Sequence, residues 1–111
     1  MNEANVGVWT MMGPADAREA HTKGRITTLI YLSKEGDTKA EDRLLHEFTP
    51  TIEMLAKDMR NRNNPDADLE QAIEAGKEAF RRALRNYDYK TPFEAHMKLQ
   101  VIYDMSRFLT Q

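Results

Sequence analysis

The stretch from Leu69 to Tyr87 constrains this chain more than any other. Leu69, Ala72, Ile73, Gly76, Ala79, Phe80, Ala83, Leu84 and Tyr87 recur at steps of three and four, whereas Glu70, Glu74, Lys77, Glu78, Arg81, Arg82 and Arg85 fill the positions between. A period of 3.6 puts the first set on one side of an α-helix and the second on the other. The acidic start and basic end complement the helix dipole. Such a rod needs its apolar side covered, so the remaining sequence must supply helices or strands to pack on it.

Helices are what the remaining sequence offers. Ile26, Leu29, Ile30 and Ser33 share one face of a helix expected within Ala17–Lys34. It ends at Gly36, where a left-handed C-cap suits glycine, and Gly24 marks a place where it can divide. Thr38-Lys39-Ala40-Glu41 fits a capping box, followed by the stripe Leu44, Leu45, Phe48, Ile52, Leu55, Ala56 and Met59. Pro50 removes one ladder hydrogen bond and crowds the turn before it, so a kink or break is expected near Thr49. Asn64-Pro65 reads as the start of the central rod, and Thr91-Pro92-Phe93-Glu94 as a second capping box. The last helix then presents Phe93, Met97, Val101, Met105, Phe108 and Leu109 as its core stripe. No segment alternates with period two, which leaves an all-α, compact bundle of four to five helices.

Residues 1–15 show neither period and run into Gly13-Pro14, so they are read as a flexible N-terminal arm ahead of a single helical domain, residues 16–111. Val6, Val8 and Trp9 give that arm an apolar element that can dock on the domain or on a partner.

Composition removes several classes of function. The 111 residues include no cysteine, which excludes disulfides, thiolate metal sites and cysteine nucleophiles. His21, His46 and His96 are scattered, with no nucleophile-and-base motif or Glu-x-x-His pair around them. The glycines are too dispersed for a phosphate-cradling loop. A non-enzymatic protein without cofactor or metal is the expectation. No run approaches the roughly 20 apolar residues of a membrane span, and the first residues lack the layout of a secretory signal, so the expected location is cytoplasmic. Sixteen basic against 18 acidic residues give a formal charge of −2, so any contact with nucleic acid must come from a local patch.

The stretch from Ile26 to about Leu109 resembles region two of bacterial sigma factors. Leu29 to Arg60 (LIYLSKEGDTKAEDRLLHEFTPTIEMLAKDMR) is similar to the family's opening, in which a Gly-Asp turn precedes a helix reading leucine-leucine, aromatic, proline, then apolar-basic. Asp66 to Phe93 (DADLEQAIEAGKEAFRRALRNYDYKTPF) follows the family's order at Leu69, Glu70, Ile73, Gly76, Arg82, Ala83, Tyr87, Asp88 and Phe93. Amphipathy alone seldom reproduces that glycine, aromatic-aspartate exit and phenylalanine together. Phe93 to Leu109 is the piece least like the family: Leu99 and Gln100 stand where primary sigma factors often carry paired tryptophans, and Gln71, Glu74 and Ala75 stand where Asp, Gln and Glu are common.

The resemblance implies a sigma region-two-like fold that binds the clamp coiled coil of core RNA polymerase through Glu70, Gln71, Glu74, Lys77 and Glu78. It also implies contact with promoter DNA through the locally basic end of the chain, at Arg81, Arg82, Arg85, Lys90, His96, Lys98, Tyr103 and Arg107. A second polypeptide would supply the helix-turn-helix of region four. The alternative is a helical interaction or oligomerisation module that keeps the sigma-like fold without polymerase or DNA binding. Two readings also stand for the charged residues themselves: a solvated, partly self-paired face, or a docking patch.

Overall fold

The structure, a computed structural model, describes residues 14–110, with side chains from residue 24 onward. All regular structure among the described residues is helical: α1 Pro14–Lys34, α2 Thr38–Asn63, α3 Leu69–Arg85 and α4 Phe93–Leu109. The all-α bundle expected from the sequence is therefore what forms. The expected arm lies, up to Gly13, outside the described residues. Pro14 is already helical, at a position whose missing N–H is no loss.

The helix ends follow the local sequence chemistry at Gly36 and depart from it at the other caps. Gly36 has φ 103°, and the amides of Gly36 and Asp37 return to the carbonyls of Ser33 and Leu32 at 3.0 Å each, the paired bonds of a Schellman cap. Gly24, in contrast, lies inside α1 without dividing it. The N-cap of α2 is Asp37 and not Thr38, because the Asp37 carboxylate accepts from the amides of Lys39 and Ala40 at 3.0 and 3.1 Å. α3 begins four residues later than Asn64-Pro65 predicts: Asn64–Ala67 closes a turn by the bond from Ala67 N–H to the Asn64 carbonyl, and Asp68 caps the helix at the Gln71 amide. α4 has no side-chain cap at all, since Pro92 holds the cap position and Thr91 accepts from the Tyr87 hydroxyl through its carbonyl.

α2 runs through Pro50 without a break. A proline inside a helix costs about 3 kcal/mol. Leu44 and Ile52, on either side of it, are fully buried and contribute about 1.5–3 kcal/mol each. The stripe stays in phase across the proline only if the helix is continuous, so packing outweighs the lost bond.

α3 sits between α2 and α4, and α1 packs on α2 and the C-terminal end of α3. Ala72, Ile73, Gly76, Ala79, Phe80, Ala83 and Leu84 are buried, so the predicted stripe is the core face. Its small residues set the approach distance. A Cβ at position 76 would run into Met105 Cε and lie 2.7 Å from Ile52 Cγ2, so α2 and α4 both close over the glycine. Phe48, Phe80 and Phe93 meet edge-on or tilted at 5.7–5.9 Å and tie α2, α3 and α4 at one level of the bundle.

Candidate interaction surfaces

With its apolar side locked in the core, α3 turns Glu70, Gln71, Glu74 and Glu78 to solvent, while Lys77 is half-buried. The face is not uniformly paired. Lys77 reaches Glu74 at 3.6 Å and Arg81 reaches Glu78 at 2.6 Å, both one turn apart. The side chains of Glu70 and Gln71, on the first turn, have no partner among the described residues. The outward side is thus graded from an open acidic and amide end to a self-neutralised middle.

The residues predicted for nucleic acid fall into two groups. Four are engaged within the bundle. Arg82 donates through Nε and Nη2 to Asp104 Oδ2 at 2.9 and 2.5 Å, and Gln100 supports the same carboxylate at 3.2 Å. Arg81 is held by Glu78, and Lys98 lies 3.2 Å from Glu94. His96 Nε2 lies 3.0 Å from the Ala83 carbonyl and 2.8 Å from the Asn86 side-chain amide, with its ring 5.2 Å from that of Tyr87. That places the imidazole at the C-terminal end of α3, beside its last carbonyls and the Asn86 amide. Its stacking surface is shared with the core.

Arg85, Lys90 and Arg107 form no ion pair among the described residues, and Tyr103 is 61% exposed. Arg107 stands 5.8 Å from the centre of the Tyr103 ring. These residues do not make one patch. Arg82, Tyr103 and Arg107 line a groove between α3 and α4 together with Glu78 and Asp104, whereas Arg85 lines a different groove, with Ser33, Lys34 and Glu41. Lys90 lies in the loop after α3, near Tyr89, whose φ is 65°.

One surface was missed in the sequence. Leu99, Ile102 and Tyr103 are 72%, 40% and 61% exposed on the side of α4 opposite Met97, Val101 and Met105. α4 is apolar on both sides, so its helical period marks the core face and leaves the outer one undistinguished. The signal was present as the weakness of α4's amphipathy compared with α3.

No group of three or more acidic or histidine side chains among the described residues is placed to hold a metal ion. No helix among the described residues is long and apolar enough to cross a membrane. Comparison with family models, with curated proteins and with solved structures finds no match to this chain.

Proposed function

We propose that this chain is a sigma region-two-like module that docks on core RNA polymerase through the outward face of α3. The observation that supports it is the open first half of that face. Glu70 and Gln71, followed by Glu74 with its Lys77 partner, project from a helix whose other side is fixed in the core, so a partner meets them with little ordering of backbone left to do. Gln71 and Glu74 are also positions to which the sequence resemblance assigns the polymerase contact. The residues that carry that resemblance split by role. Ile73, Gly76, Ala83, Tyr87 and Phe93 are core and speak for the fold, so function rests on the outward set.

Binding of the full chain to core polymerase, followed by pull-down or fluorescence anisotropy, tests this. The wild type is expected to bind, and Glu70→Lys with Glu74→Lys to weaken binding about tenfold or more, equivalent to about 1.4 kcal/mol. Unchanged binding by a double variant with native circular dichroism overturns the assigned face.

The internal pairing of Arg81, Arg82 and Lys98 and the apolar outer face of α4 favour a second reading, a helical interaction or oligomerisation module that binds neither polymerase nor DNA. A gel-shift titration with single-stranded and duplex promoter DNA at low salt tests the DNA half of the first reading, and the polymerase pull-down separates the two. Absence of a shift removes DNA from the first reading and leaves polymerase docking standing.

A further inference from the structure

Between α1, α2 and the start of α4 lies an apolar cleft of about 310 Å³, walled chiefly by Ile26, Ile30, Phe48, Tyr87 and Phe93, with Thr27, Pro92 and the exposed Glu94 at its edge. Ile26 and Phe48 are only half-buried, so part of this wall is left open. The volume is at the small end of the roughly 300–1,000 Å³ of ligand pockets, which suits one or two bulky side chains. The walls are aromatic on one side: Phe93 stands 5.7 Å from Phe48 and 5.2 Å from Tyr87, ring to ring. The Glu94 carboxylate, held by Lys98 at 3.2 Å, offers the acceptor that a buried indole N–H needs.

The chain ahead of α1 carries side chains of this kind, Val6, Val8 and Trp9, and Gly13-Pro14 is a sequence at which a chain turns. Trp9 stands five positions before Pro14, about 17 Å of extended chain. From Pro14 to Ile26 is twelve helical steps, about 18 Å. Val6, eight positions before Pro14, reaches about 27 Å, against about 24 Å of helix from Pro14 to Ile30. A segment reversed at Pro14 and laid along α1 thus covers the part of the helix that lines the cleft. The apolar face at Leu99, Ile102 and Tyr103 is a poorer match, because it points away from the side of α4 that packs in the bundle and α1 packs chiefly on α2 and α3.

We infer that the Val6–Trp9 segment of this chain is the occupant of the cleft, with the Trp9 indole at the Ile26 end and the valines toward Ile30. The segment then acts as a strap that holds α1 onto α2 and α4, independently of any polymerase contact.

The test uses the full chain, which has one tryptophan and no cysteine, so both probes are unambiguous. Bimane, a fluorophore quenched on contact with tryptophan, is attached at Thr27→Cys in the cleft lining or at Leu99→Cys on α4. The expected result is a loss of emission at position 27 that Trp9→Phe restores, no such loss at position 99, and Trp9 emission shifted to the blue of the urea-unfolded chain. Each labelled variant is compared with its own Trp9→Phe partner, so a perturbed fold affects both alike. Quenching at 99 instead of 27, quenching at neither, or quenching at 27 that appears only as protein concentration rises each overturns the assignment. The last would identify a second copy as the donor.

Discussion

The ammonium group of Lys34, at the end of α1, donates to the Tyr87 carbonyl at 2.8 Å. It also reaches the carbonyls of Arg85 and Leu84 at 3.0 and 3.4 Å. One cation thereby caps the C-terminal end of α3, where the dipole is negative and the carbonyls lack intrahelical partners. Lys34→Met is expected to cost about 1–2 kcal/mol, within the range for hydrogen bonds to a charged group and for a cation at a helix end. Urea unfolding measures it, and an unchanged midpoint would show that water serves those carbonyls equally well.

Gly76→Ala sets helix propensity against packing. Alanine gains about 1 kcal/mol in an unconstrained helix. Here the added methyl meets Met105 Cε and Ile52 Cγ2, and overpacking costs about 1–3 kcal/mol. Met105 has a flexible end, but the branched Ile52 has few rotamers to retreat to. A net loss of stability is expected. The combination with Ile52→Ala should cost less than the two single changes added together, since removing one atom group relieves the other. Additivity in thermal or chemical unfolding would refute the clash.

The Arg25 guanidinium, 3.0 Å from Glu47, links α1 to α2 and holds the Glu47 carboxyl below its ordinary range, chiefly by hydrogen bonding and against a smaller desolvation effect. A depressed folded-state pKa means that the unfolded chain takes up the proton first. The stabilisation is therefore present above the usual glutamate value of about 4.3, and it fades as pH falls through the lower folded value. Both side chains are about one third exposed, so salt screens the pair and the effect is small. The stability difference between wild type and Glu47→Gln should be constant from about pH 6 to 8 and vanish once acidification has passed the depressed folded-state value. A difference that grows in acid would contradict the assignment.

Asp104 is expected to act on both stability and charge. Its side chain is 11% exposed and neutralises Arg82 across the α3–α4 groove. Asp104→Asn should cost on the order of 1 kcal/mol, because the guanidinium loses a charged acceptor at a half-covered site. The same change adds a net positive charge beside Tyr103 and Arg107. If this groove meets phosphates, the variant binds DNA more tightly and with a steeper salt dependence. Equal or weaker binding than wild type would place any DNA contact elsewhere.

The central rod was legible in the sequence because its period is strict and its two sides differ in kind. Every predicted apolar position from Ala72 to Tyr87 is buried. The end points were less legible because several polar residues in a row can each serve as a cap. Asp37 beats Thr38 and Asp68 beats Asn64 according to which residue the incoming chain leaves extended, and that is fixed by the preceding helix and turn. The site residues were legible as a charged face. Their division into open and internally satisfied side chains was not.

What the sequence determined by itself is the helical class, the inward side of each rod and the requirement for glycine at position 36, since these follow from local period and from steric limits at a single residue, whereas the need for glycine at 76 comes from the helices that close over it. What only the tertiary structure decided is the pairing of Arg82 with Asp104, the use of Lys34 as a cap for a helix fifty residues away, the continuity of α2 through Pro50 and the exposure of Leu99, Ile102 and Tyr103. Each of these depends on which helix lies beside which. A repeat along one chain segment specifies the direction a side chain takes from its own axis, but not the neighbour that it finds there.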